Sequence, residues 1–330
     1  MSKKLWTKKL VQQHAQAAVA IEVYTLPFYF TVLSSIKPLN AEVIPPIYPK
    51  IYNQILSVAI EEMLHLQLAA NLCIALGTTP NFKTPNYTIP VDLLKPNDPA
   101  TKDQGALNAR LGPFNKTALD TMLDIETPAE FEVTDPLTPQ ASYNSIGQLY
   151  AALKEGITQL KDSFTWPAGH QQDQFTTFTL VSKITSFDLA KEAINTISEQ
   201  GEGLAQTPIP KAPFTPSQFP IPSKYQLNLN AWGAPNLDPS PDNGFSHFGR
   251  FISIQNAVKS GYPPVFSGFH RPTDPAALAL SDNFAKFITG INDTWNTGAT
   301  FDSAAVMPKL LANAATCWAM GVIPYWGEAK

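Results

Sequence analysis

The chain has 330 residues, enough to bury a large core in one elaborated domain, and its formal net charge of -4 comes without a sustained basic stripe. That excludes the electrostatic footprint of a nucleic-acid binder. Charged residues make up only 15% while prolines number 30, a balance that fits a helical core joined by long ordered connections and excludes a disordered or coiled-coil chain.

The first ten residues are basic, but His14, Glu22 and several glutamines follow, so the segment reads neither as a signal peptide nor as a membrane span. A cytoplasmic protein with no membrane partner is the expectation. Cys73 and Cys317 are too few and too far apart for a disulfide framework or a Cys-rich zinc site. Spacing predicts a first helix at about 11–36, where Ala15, Ala18, Val19, Leu26 and Tyr29 recur around Glu22 and Pro27 is expected to kink the helix or open its ladder. A second helix is predicted at about 48–76, with Ile51, Ile55, Val58, Ala59, Leu66, Ala69 and Leu72 on one side and Gly77 as its stop.

Residues 78–141 are rich in Pro, Asn, Asp and Thr and read as an excursion that carries a short helix at Lys116 to Leu123. Helical periodicity returns at about 145–160 and 185–203, a second proline-rich excursion runs from Gly203 to Pro241, and further helices are predicted at about 243–258, 274–295 and 303–320. The expected fold is all-α: one elaborated ferritin-like four-helix bundle, residues 1–330, with long proline-rich excursions and extra C-terminal helices. Its core helices would be 11–36, 48–76, 185–203 and 243–258, from which metal ligands project inward.

Glu62 and His65 stand three residues apart, about 60° around a helix, so both side chains can reach one ion. Glu62 has Ile55, Val58, Ala59 and Leu66 as helical neighbours, whereas Glu61 looks back on Gln54 and Ser57. Glu61 therefore reads as a surface carboxylate and a reserve ligand. Glu22 repeats the anomaly on the first helix, where burying an unpaired carboxylate would cost about several kcal/mol. A lysine or arginine on Glu22, or a hydrogen-bonded core role for His65, is the bland alternative for each alone; together they point to a metal.

Three runs are specific: Ala20-Ile21-Glu22-Val23-Tyr24-Thr25-Leu26-Pro27, then Glu61-Glu62-Met63-Leu64-His65 through Leu72, then Glu199-Gln200-Gly201-Glu202-Gly203. With the weaker segment Ser246-His247-Phe248-Gly249-Arg250-Phe251, they resemble the ferritin-like domain family associated with iminophenyl-pyruvate dimer synthase, over about Leu10 to Ile254. The resemblance implies a ferritin-like bundle, a di-metal carboxylate site and oxidative steps in making aromatic natural products. By motif position it makes Glu22, Glu62, His65, Glu202 and His247 the metal-site residues.

Two features depart from a full ligand set. Gly244 stands three residues before His247, where the Glu of a second Glu-x-x-His pair is expected. Asp242 as substitute, Glu199 as a second carboxylate, or a single ion remain open. The apolar stripe Leu189, Ala190, Ala193, Ile194 and Ile197 lies away from Glu199 and Glu202, so a π-bulge beside Gly201 and Gly203 is one way to turn them inward, and a solvated helix end is the other reading.

The expected function is a non-haem oxidoreductase holding one or two iron or manganese ions, acting with dioxygen or peroxide on a small apolar or aromatic metabolite. The alternative is a non-enzymatic metal-binding or iron-handling protein. A small-molecule substrate is the expected partner, nucleic acid is not, and homo-oligomerisation is left open.

Overall fold

The computed structural model describes residues 5–37, 47–87, 109–128, 139, 143, 145–167, 169–174, 183–202, 213–227 and 244–327. These residues form eight α-helices and no strand: α1 (Lys8–Ser35), α2 (Ile47–Ala75), α3 (Lys116–Ile125), α4 (Ile146–Gln159), α5 (Phe187–Gly201), α6 (His247–Ala257), α7 (Pro275–Thr297) and α8 (Ser303–Ala319). Their beginnings are set by short polar side chains that accept the otherwise unused first-turn N–H groups. Thr7, Asn115, Ser145, Ser186, Ser246, Asp274 and Asp302 each do so. Gly298 ends α7 with a left-handed residue at φ 75°, which costs a glycine nothing.

Helices α1, α2, α5 and α4 pack in that order and close a ring, since α4 returns to α1. This ring is the four-helix bundle. The expected core quartet therefore changes in one member: 145–160 completes the ring, while 243–258 lies outside it, on α2 and α3 and against the end of α5. The reason is position: α4, at 14 residues little longer than α6 at 11, packs on both α1 and α5, whereas α6 packs mainly on α2 and α3.

α1 continues through Pro27 as one helix from Lys8 to Ser35. The proline removes the N–H that would reach the Val23 carbonyl; close by on the helix, the Tyr87 hydroxyl donates to the Tyr24 carbonyl, and Trp318 Nε1 donates to the Thr31 carbonyl at 2.9 Å. Trp326 Nε1 donates to Thr31 Oγ1 at 2.8 Å, so the C-terminal segment is fastened to the same turn of α1. α7 pairs with α8, which packs on α1. Both α1 and α2 are long and apolar enough to cross a membrane, yet 89% and 100% of their most apolar stretches are buried within the protein, where they form its core.

Candidate metal centre

Five elements deliver the polar residues of one buried cluster. Glu22 comes from α1, Glu61, Glu62 and His65 from α2, Glu126 from the C-terminal cap of α3, Glu202 from the cap of α5, and His247 from the first turn of α6. None of these seven side chains is more than 6% exposed. Ser246 joins the last two: its hydroxyl accepts the Gly249 N–H at 3.2 Å and donates to the Glu202 carbonyl at 3.0 Å. The cap that starts α6 thus holds the end of α5 beside it.

Among the described residues, Glu62, His65 and His247 form the group whose ligand atoms all lie within 4.8 Å of one another. Glu62 Oε1 is 3.3 Å from His65 Nδ1 and 3.0 Å from His247 Nδ1. Glu126 Oε2 is 3.4 Å from His247 Nδ1, and Glu22 Oε2 is 3.9 Å from His65 Nδ1. The imidazole rings stack with centroids 5.2 Å apart. A cavity of about 10 Å³, roughly one water molecule's worth, is lined by Glu22, Glu62, His65, Glu126, Tyr150 and Glu202.

Hydroxyls orient three of the carboxylates. Tyr150 donates to Glu22 Oε1 at 2.5 Å, Tyr29 to Glu126 Oε1 at 2.5 Å, and Thr25 to Glu62 Oε2 at 2.6 Å. Burial and then the Glu62 charge push the Glu22 carboxyl well above the usual carboxylate range. Burial also pushes Glu62 up, but the His247 and His65 imidazoles beside it outweigh that and hold Glu62 low. His247 is raised well above the ordinary histidine value because Glu126, Glu61 and Glu62 together overcome the opposing effect of burial. Both tyrosines are raised, first by burial and then by their carboxylate partners, and so remain donors.

The residues present fit a metal. His247 Nδ1 is fully buried and close to two carboxylate oxygens, yet it is aligned with neither for a hydrogen bond. Glu22, Glu62 and Glu126 meet hydroxyls and imidazoles in their described contacts, not a lysine or arginine. Buried carboxylates of this kind are stabilised by a cation, and mixed oxygen and nitrogen donors favour hard or borderline ions over soft ones.

Four of the residues expected from sequence, Glu22, Glu62, His65 and His247, meet here, and Glu202 reaches the cavity wall. Glu202 does so without a π-bulge: α5 is regular to Gly201, and Glu199, Gln200, Gly201 and Glu202 are all buried, so the end of the helix is enclosed on every side. Its carboxylate rests on Gly147 of α4, where an added Cβ would fall 1.9 Å from Oε2. Glu199 is not among the cavity-lining residues; its charge instead acts on Lys154 of α4.

Glu61 is corrected outright. It is 1% exposed and ion-paired, with Arg250 Nη1 at 2.7 Å and His247 Nε2 at 2.9 Å. Its polar helical neighbours misled because they too are buried: Ser57 Oγ accepts from Arg250 at 2.9 Å. Gly244 precedes α6 and its carbonyl accepts the Ile221 N–H, so it was never in register to supply a ligand, and Asp242 lies outside the described residues. The additional carboxylate is Glu126. Leu119, Met122 and Glu126 share a helical face, so the burial test applied to Glu22 would have found it had the short helix been extended by one turn.

A family model described as Ferritin-like matches residues 15–255. Comparison with curated proteins finds no match. Among solved structures, the crystal structure of a ferritin-like protein from Caulobacter vibrioides is similar, with a TM-score of 0.72 and 26% identity, over 98% of this chain and 100% of that one. The match takes in residues of all four helices of the bundle ring and every residue of the buried cluster, and the chain belongs to the ferritin-like family.

Proposed function

We propose that the protein binds iron or manganese at the buried cluster and that this centre reacts with dioxygen or peroxide. The observation that carries the reading is the convergence of Glu62 Oε1 with the Nδ1 atoms of His65 and His247 at 3.3 and 3.0 Å. Glu62 lies near both imidazoles, with Glu22 beside His65 and Glu126 beside His247, and these residues would hold one or two ions. When bound, such ions supply redox chemistry that no protein side chain provides.

The chain's own groups define what the centre admits. Tyr29, Tyr150 and Thr25 hold the carboxylates in position, and the helices around them exclude bulk water. The 10 Å³ cavity admits a water-sized species and has no room for an aromatic ring. The likeness to the iminophenyl-pyruvate dimer synthase family supports an oxidoreductase acting on a small aromatic metabolite. The cavity size favours a second reading, a metal-handling protein that oxidises its own ion with no organic substrate inside.

Metal analysis, then ferrous iron added without air and oxygen admitted afterwards, tests both. Oxygen uptake with a change in the optical spectrum is expected; stable iron binding without oxygen uptake would favour a storage or structural role. Glu62→Ala and His65→Ala should each lose metal while keeping wild-type helical content, because the buried ligand leaves with its ion. Wild-type metal content in either variant would refute the assignment.

A further inference from the structure

The far nitrogen of each imidazole has a different kind of partner. His65 Nε2 lies 2.9 Å from Gln200 Oε1, and the Gln200 amide donates from Nε2 to the Tyr225 carbonyl at 2.6 Å. That second bond fixes which end of the amide is oxygen, so His65 Nε2 carries the hydrogen and its lone pair is on Nδ1, toward Glu62. His247 Nε2 lies 2.9 Å from Glu61 Oε2, which as a carboxylate accepts the Nε2–H, so Nδ1 is the nitrogen that faces the cluster and would give its lone pair to an ion.

Both rings thus present Nδ1, but one is backed by a neutral amide and the other by an anion. Glu61 is itself held from behind. Arg250 grips it at 2.7 and 3.1 Å, and is fixed in turn by Ser57 and by the Phe245 carbonyl, each at 2.9 Å. A carboxylate behind a metal-binding imidazole locks its tautomer and increases the basicity of the opposite nitrogen; an amide does the first and little of the second.

Resting on the metal reading above, we propose that the two imidazoles are unequal donors: Glu61, clamped by Arg250, is the positioning residue that makes His247 the stronger ligand, and Gln200 holds His65 as the weaker. An ion adjoining His247 is then the tighter bound. Where two ions bind, that position fills first.

Titration of the full-length metal-free chain with cobalt(II), followed by its visible spectrum, tests this. Glu61→Gln makes the His247 partner resemble that of His65, and is expected to weaken cobalt binding about 10–100-fold and to shift the spectrum. Gln200→Glu should act in the opposite direction. Because Glu61→Gln leaves a buried guanidinium without its partner charge, Glu61→Gln with Arg250→Met is measured beside it. Wild-type affinity and spectrum in the folded double variant, or weaker binding in Gln200→Glu, would overturn the inequality and leave the metal reading standing. Wild-type chain that binds neither cobalt, iron nor manganese would overturn both.

Discussion

Arg250 is a guanidinium with no measurable solvent exposure, and its described ionic partner is Glu61. Removing one member of such a pair leaves the other charge buried, which typically costs about 3–5 kcal/mol. Arg250→Ala should lower the free energy of unfolding by that order in denaturant melts, and a loss below about 1 kcal/mol would mean Glu61 finds another partner. Glu126→Gln keeps the shape and the bond from Tyr29 but removes a carboxylate facing His247, and metal affinity should fall while the melting temperature of the metal-free chain holds or rises. At this scale the sequence was legible where an acid interrupted an apolar stripe, as at Glu22 and Glu62. It was illegible at Glu61, because a buried polar strip and a solvated one have the same residue types, and only the distant Arg250 tells them apart.

Helix positions were legible to within a few residues, since periodicity and the capping side chains are both local. Which helices make the ring was not. Residues 145–160 and 243–258 are both amphipathic, and the choice between them depends on packing against α1 and α5 rather than on either pattern. Gly147, in the first turn of α4, shows what the ring demands of its members: it is the gap into which the Glu202 carboxylate fits. Gly147→Ala should favour the helix itself by up to about 1 kcal/mol yet displace Glu202. Thermal melts and metal titration measured together check this, and a variant with unchanged metal affinity would show that Glu202 is not needed at the site.

Across the whole molecule, the cluster draws on positions from Glu22 to His247, contributed by five helices. No short stretch of chain contains more than Glu62 and His65, so an unfolded or partly folded polypeptide offers an ion at most a two-donor foothold. The kinetic consequence follows. Ligands so far apart are brought together only when the bundle is nearly complete, after the folding barrier, so metal should leave the refolding rate almost unchanged and slow unfolding instead. Stopped-flow measurements with and without iron or manganese would show the asymmetry, and faster refolding in their presence would count against it. Bound ion would then act as a latch closed last, prolonging the lifetime of a structure it had no part in assembling.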